Sequence, residues 1–225
     1  MKEFNLLKNY SNIKKRFVSK NLRTIKNRII ASYKGKEFYD GDRNNGYGGY
    51  KYDGRWTEVA SNIFRIYKLN NKAKILQIGS DKGFLLNDIK LIKPFSTVRG
   101  VENSSYAISK TLPKVKKFII KSDFTKLPFK NNYFDFVIAI GPIYTLNLSD
   151  AIKCLKEIKI VGMGKSFITL GSYDTIAEFN LFRYWTLLGC TILSKSEWVE
   201  VLKHCKYTGD YMFNTSKSLN LKIKK

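Results

Sequence analysis

The feature that most constrains the fold of this chain is a short apolar run that ends at a glycine. A second glycine follows shortly after it. Residues 75–78 form the run, Gly79 ends it, and Gly83 opens a helix-like segment. A second β-like segment, residues 97–102, ends in the carboxylate of Glu102. Glycines let backbone approach a ligand, a helix N-terminus offers free N–H groups, and an acid after the next strand can bind ribose hydroxyls. The order of these features predicts a nucleotide-like cofactor held in an open α/β sheet.

Strand-like and helix-like segments alternate along the rest of the chain. The strand-like segments lack a regular alternation of polar and apolar residues, which indicates a parallel sheet covered by helices on both faces. We predict strands at 74–79, 97–102, 116–121, 134–140, 166–170 and 207–214, and helices at 57–67, 83–92, 104–112, 149–159, 174–187 and 196–204.

The length of 225 residues suits one domain with an appended arm, so we divide the chain at 1–56 and 57–225. Residues 1–36 are strongly basic, and Glu3 is their only acid. This segment is interpreted as a helix docked on the core, or alternatively as a basic amphipathic helix on a membrane surface or an RNA. Its apolar positions recur at helical spacing: Leu6, Ile13, Phe17, Leu22, Ile25 and Ile29.

The formal net charge of +23 raises the possibility of a nucleic-acid partner. The basic residues are spread over the whole chain, and lysine is enriched together with Asn, Ile, Tyr and Phe, a bias that A/T-rich codons produce. RNA or anionic-membrane contact therefore stays a secondary hypothesis. The three cysteines, Cys154, Cys190 and Cys205, lack metal-ligand spacing, so we expect a cytoplasmic protein without a metal site and without a membrane-spanning segment.

Residues 38–56 combine glycines and aromatics with Asp and Arg. Such a stretch does not form a regular helix. It could be a loop that folds over a ligand, with Asp53 and Arg55 fixing orientation, or a connection packed by its own rings. Further along, Asp123 follows a predicted strand and precedes Phe124. Its carboxylate could accept a hydrogen bond from an adenine amino group, or it could cap nearby N–H groups.

Taken together, these motifs resemble those of the class I S-adenosylmethionine-dependent methyltransferases. The glycine loop, the acid at the end of the second strand and an acid after the third occur in that order. The matching segments are 74–86, 100–104, Asp123, Leu127-Pro128-Phe129 and 133–138. The element Gly-Tyr-Gly-Gly-Tyr-Lys-Tyr-Asp-Gly-Arg-Trp at 46–56 further resembles one bacterial subgroup of such enzymes.

The resemblance implies a Rossmann-like, seven-stranded sheet with an N-terminal helical or lid arm, and S-adenosylmethionine bound at the carboxyl ends of the strands. Tyr47, Tyr50, Tyr52, Arg55 and Trp56 would cover the site. Tyr144, Tyr50 and Arg55 are the candidate catalytic residues. The candidate cofactor-binding residues are Gln77, Gly79, Ser80, Asp81, Gly83, Glu102, Asp123, Phe124 and Ile140.

The chain departs from the family pattern within the site. Gln77 stands where the family usually has Asp, and Ser80-Asp81 follow Gly79 where Cys-Gly is usual. Tyr144-Thr145 occupy the place of a His-Asn pair, which removes an obvious base at neutral pH. The leading hypothesis is methyl transfer to a small-molecule or saccharide acceptor. The alternatives are a methyltransferase fold kept as a binding or scaffold module, and an RNA methyltransferase.

Overall fold

The computed structural model describes residues 1–8, 10 and 15–224. In chain order, the strands are β1 (Arg16–Val18), β2 (Lys74–Ile78), β3 (Thr97–Glu102), β4 (Ile119–Lys121), β5 (Phe136–Ala139), β6 (Ser166–Tyr173), β7 (Leu193–Ser194), β8 (Asp210–Asn214) and β9 (Leu221–Ile223). The helices are α1 (Ile25–Ser32), α2 (Lys36–Tyr39), α3 (Thr57–Ile66), α4 (Phe84–Ile92), α5 (Ser105–Ser109), α6 (Pro113–Lys116), α7 (Leu148–Val161), α8 (Ile176–Trp185) and α9 (Lys195–His204).

Seven of the strands form one parallel sheet, which confirms the predicted α/β fold. The order is β4-β3-β2-β5-β6, and β8 and β7 pair with successive parts of β6. Gln77 on β2 is in register with Gly100 on one side and Ile138 on the other. The strand order therefore reverses at β2, and such a switch point opens a crevice at the carboxyl ends of the strands.

Two hydrophobic clusters pack against the sheet, and they explain why its strands read as continuous apolar runs. One cluster includes Leu155 on α7 and Trp198 on α9, and the other includes Ile63 on α3 and Leu86 on α4. Burial on both faces removes the need for polar alternation along a strand. The resulting rigid sheet fixes the loops at its carboxyl edge.

The helix predicted for residues 1–36 was wrong over most of its length. Residues 16–18 form β1, which pairs with β9, and the helix α1 covers only Ile25–Ser32. Ile25 and Ile29 are exposed, so the apolar spacing does not define one buried helical face. Ile13, another member of that spacing, lies outside the described residues. No helix in the described part of the chain is long and apolar enough to cross a bilayer.

Most other boundaries agree with the prediction to within three residues, as the start of β4 illustrates. The strand predicted at 116–121 begins only at Ile119, because residues 113–116 form α6 with Pro113 in its first turn. Proline suits that position, since its missing N–H would have no partner inside the helix. The two-residue strand β7 is too short to leave a periodic signal in the sequence.

Candidate active site

A cavity of about 180 Å³ opens at the carboxyl ends of β2, β3 and β5, underneath the N-terminal arm. Three parts of the chain form its walls. The sheet side contributes Gly79, Asp81, Glu102, Phe124, Ile140, Gly141 and Pro142. The arm contributes Arg23, Lys34, Phe38, Tyr39, Arg43, Gly46 and Tyr47. The third wall consists of Tyr144, Thr145 and the segment 185–188 that follows α8.

The two glycines of the loop after β2 have different tasks. Gly79 has a φ of +69°, lines the cavity and lies against Pro142, whose ring carbons would be 3.1 Å from an added Cβ. Gly83 has a φ of +76° but faces away from the cavity, where an added Cβ would lie 2.9 Å from Ile119 and 3.0 Å from Val115. Gly79 thus shapes the cavity wall, and Gly83 lets α4 pack closely against its neighbours.

Glu102 presents a buried carboxylate at the cavity. The residue is 2% exposed, and its two oxygens accept hydrogen bonds from the backbone N–H groups of Asn103, Ser104 and Asp81 at 2.8–2.9 Å. A carboxylate has about four lone-pair sites, so three bonds leave capacity for a further donor. The backbone therefore holds Glu102 in position while leaving it able to bind a hydroxyl group.

Asp81 lies beside Glu102 and connects the glycine loop to the arm. The hydroxyl of Tyr39 donates to Oδ1 of Asp81 at 2.9 Å, and that of Tyr47 donates to Oδ2 at 3.2 Å. Burial, together with the negative charge of Glu102, raises the pKa of Asp81 to about 7. Asp81 also has a φ of +48°, a conformation that glycine would adopt without strain.

A buried ion pair fastens the aromatic segment 38–56 over the loop. The Lys82 ammonium lies 2.6 and 2.8 Å from the two carboxylate oxygens of Asp40, and it donates to the carbonyl of Tyr50 at 2.8 Å. Tyr106 donates to the same carboxylate at 2.8 Å. The rings of Tyr47 and Tyr50 stack with their centroids 4.4 Å apart. The segment is therefore packed by its own rings and also covers the cavity through Tyr47.

Phe124 and Ile140 supply apolar surface on the sheet side. Phe124 is buried, lines the cavity, and has the Lys34 ammonium 5.9 Å from its ring centroid. Asp123 is exposed, does not line the cavity, and accepts a hydrogen bond from the Thr125 N–H at 2.9 Å. The structure therefore brings Phe124, but not Asp123, into the cavity wall.

Two predicted site residues on the loop lie behind the cavity wall. Gln77 is buried in β2, and its Nε2 contacts the carbonyl of Gly79 at 3.5 Å. Its Oε1 has no hydrogen-bond partner within the described residues, and the same is true of the buried Oγ of Ser80. Two orphaned polar atoms directly behind the glycine loop cost free energy unless a ligand or water satisfies them.

Of the three candidate catalytic residues, the structure places only Tyr144 in the cavity. Burial raises the pKa of Tyr144 to about 12, so its hydroxyl stays neutral at physiological pH. Tyr50 packs against Phe84 outside the cavity wall, with ring centroids 4.6 Å apart. Arg55 is half-exposed and pairs with Asp53, two residues away. Tyr144 can orient a bound molecule but is not a base at neutral pH.

Sequence reasoning missed several cavity residues. Tyr39, Lys34, Arg23 and Arg43 come from the arm, and the segment 185–188 follows a distant helix. Tyr39 and Arg43 lay inside a motif that the sequence had marked, the segment 38–56. The others reach the cavity through long-range packing that no local spacing reveals.

The residues present fit S-adenosylmethionine on two observations. Glu102 keeps acceptor capacity for ribose hydroxyls, and an added Cβ on Gly141 would meet no atom within 4 Å. Gly141 and Phe124 both line the cavity, and Phe124 offers an aromatic face there. The cavity thus offers a polar group, an apolar face and open space of the kind that such a cofactor needs.

Comparison with known proteins supports the same conclusion. Residues 76–162 match the family model of a methyltransferase domain. Cycloartenol-C-24-methyltransferase from Arabidopsis thaliana is 35% identical over 102 residues, 42% of this chain and 30% of that protein. Cycloartenol-C-24-methyltransferase 1 from Oryza sativa subsp. japonica is 33% identical over 102 residues, 42% of this chain and 29% of that protein. The chain thus spans under a third of the length of these curated relatives.

Among solved structures, the YcgJ protein from Bacillus subtilis has a TM-score of 0.54 at 15% identity, covering 65% of this chain and 66% of that one. The likeness concerns the fold, and it matches the parallel sheet described above. The matching segment is therefore similar to a methyltransferase domain, and the sheet around it has a Rossmann-like fold. S-adenosylmethionine is the cofactor that this similarity supports, and the side chains that would hold it remain a prediction.

Proposed function

We propose that the protein transfers a methyl group from S-adenosylmethionine to a small-molecule acceptor. The observation that carries the proposal is the buried carboxylate of Glu102, held by three backbone N–H groups in the wall of an arm-covered cavity. That carboxylate lies inside the segment that matches the methyltransferase domain. An acid held in this way, next to the apolar faces of Phe124 and Ile140, suits a ribose and an adenine ring.

The bound cofactor would supply an activated methyl group on a sulfonium, and the protein would supply position and exclusion of water. Gly141 leaves room at the carboxyl end of β5, and Gly79 lets the loop after β2 lie against Pro142. Tyr39 and Tyr47 hold the arm over the cavity through Asp81. Tyr144 contributes a neutral hydroxyl that can orient an acceptor. Alignment of this kind is the main requirement for a direct displacement.

A small acceptor suits the cavity better than a macromolecule does. Residues of the arm form one wall of the cavity and cover it. The arm is fixed by the buried pair between Lys82 and Asp40, so the covered space suits a compact molecule rather than a strand of RNA. A saccharide of one or two rings remains compatible with this proposal.

Replacing Ile140 with tryptophan should weaken the binding of S-adenosylhomocysteine at least tenfold, or about 1.4 kcal/mol. Ile140 lines the cavity at the end of β5, and an indole there would fill space that the ligand needs. Calorimetric titration of the folded protein measures the change. Leu91→Trp is the matched control, because Leu91 is exposed on α4 and outside the cavity wall.

Equal affinity of Ile140→Trp and the parent protein would place the ligand elsewhere and contradict the proposed site. A folded parent protein that binds neither S-adenosylmethionine nor S-adenosylhomocysteine would instead favour a scaffold that has lost the cofactor. Circular dichroism on both variants separates a blocked cavity from a disrupted fold.

A further inference from the structure

Five arginines come together where the arm meets the end of α8. We call them the arginine cluster: Arg16, Arg23, Arg28, Arg43 and Arg183. Arg28 donates to the carbonyls of Arg183 and Thr186 at 2.7 Å each. Arg23 donates to the carbonyls of Trp185 and, at 3.4 Å, Arg43. The guanidinium of Arg16 lies 6.0 Å from the centroid of the Trp185 ring.

The arginine cluster has no carboxylate partner in the part of the chain that the structure describes, where every ion pair involves other residues. Residues 9, 11–14 and 225, which lie outside that part, contain no Asp or Glu. Burial and the neighbouring charges of Arg43, Arg28 and Arg16 lower the pKa of Arg23 to about 10. The end of α8 offsets only about half a unit charge. The cluster therefore carries an excess of positive charge.

Unused hydrogen-bond donors accompany that charge in the cavity. Arg23 and Arg43 both line the cavity, and each guanidinium has five N–H donors, of which backbone carbonyls take few. Trp185 also lines the cavity, in the wall formed by segment 185–188, and its buried indole N–H has no acceptor among the described residues. A buried donor without a partner destabilises the fold until an acceptor satisfies it. The excess positive charge and the unused N–H donors would both be satisfied by a hydrogen-bond acceptor group of a bound molecule.

We propose that the part of the cavity lined by Arg23, Arg43 and Trp185 binds an anionic group, a carboxylate or a phosphate, on the methyl acceptor. Two guanidinium groups and the indole N–H supply the donors, and planar guanidinium forks match the oxygens of both anions. Leu187 and Leu188 in the same wall supply apolar surface for the rest of the molecule. The inference rests on the proposed function and narrows it to an anionic acceptor.

The test compares anions at matched ionic strength. Inorganic phosphate and benzoate serve as phosphate and carboxylate probes, with chloride as the reference, and thermal melts give the affinity. We expect at least one probe to raise the melting temperature above the chloride value. Arg23→Gln and Arg43→Gln should each weaken the binding of that probe about tenfold. Arg65→Gln removes an equal charge from an exposed position on α3 and should leave the affinity for the probe unchanged.

Two results would overturn the inference. One is that neither probe raises the melting temperature of the parent protein, or that the rise is the same in all three variants. The other is a tenfold loss of S-adenosylhomocysteine affinity in Arg23→Gln with 5′-methylthioadenosine unaffected, because the cluster would then hold the cofactor's carboxylate. Arg43→Gln keeps the test decisive if Arg23→Gln fails to fold. If the protein binds the anion specifically but binds no S-adenosylhomocysteine, the anion site is supported and only the proposed function is contradicted.

Discussion

Replacing Lys82 with methionine should lower the free energy of unfolding by about 2 kcal/mol. The Lys82 side chain is 7% exposed and its ammonium lies 2.6 Å from the carboxylate of Asp40, whose side chain is 26% exposed, so removing it leaves a half-buried charge without its ion-pair partner. Breaking a fully buried pair typically costs about 3–5 kcal/mol, and the partial exposure of Asp40 reduces that cost. The bonds that hold Tyr50 and the segment 38–56 over the cavity would be lost with it. Urea denaturation of both proteins gives the difference.

Lys153→Met is the matched control for this prediction. Lys153 pairs with Asp150 on an exposed face of α7, where such a pair contributes about 1 kcal/mol or less. Lys82→Met combined with Asp40→Asn should recover part of the lost stability, because the orphaned charge is gone. A loss no larger than that of Lys153→Met would mean that the pair does not fasten the arm.

Replacing Asp81 with asparagine should stabilise the protein at pH 8 by about 2 kcal/mol. The pKa of Asp81 is raised from 3.8 to about 7 by burial and by Glu102. Between these two pH values the folded state keeps a proton that the unfolded chain has lost. Stability of the parent protein therefore falls as pH rises from about 4 to about 7. A pKa shift of this size corresponds to a stability difference of about 4 kcal/mol. Because Asp81 is partly exposed, we expect a smaller difference.

The measurement is the free energy of unfolding of both proteins at pH 4 and pH 8. Their stabilities should converge at pH 4 and separate at pH 8, with Asp81→Asn the more stable. Asp123→Asn, an exposed change near the same edge of the sheet, should show no such separation. Parallel pH profiles for Asp81→Asn and the parent protein would mean that Asp81 ionises normally in the fold.

The predicted site residues that the structure brings to the cavity wall are those that depend on local pattern. The run 75–78 ends at Gly79 because the strand and its turn are adjacent, and Glu102 closes the neighbouring strand at the same edge. The parallel sheet followed from apolar strands alternating with helices. Phe124 reached the cavity because it follows the next strand of the same sheet.

The parts that the sequence left open depend on long-range contacts. Tyr39 reaches Asp81 across 42 positions, and Arg28 reaches Thr186 across 158. No periodicity encodes such pairs, since each needs the finished fold. Arg55, in contrast, was expected over the cavity but pairs with Asp53 two residues away, because a local partner is already within reach. The arm was expected to be largely helical, whereas pairing of β1 with β9 depends on the far end of the chain.

A crystal structure of the protein grown with S-adenosylhomocysteine tests the central claim most directly. We expect ligand density in the cavity under the arm, with the ribose at Glu102, the adenine against Phe124 and the amino-acid part near the glycine loop at Gly79. Density for the ligand at any other place, or an empty cavity at saturating ligand, would contradict the assignment of this crevice as the cofactor site.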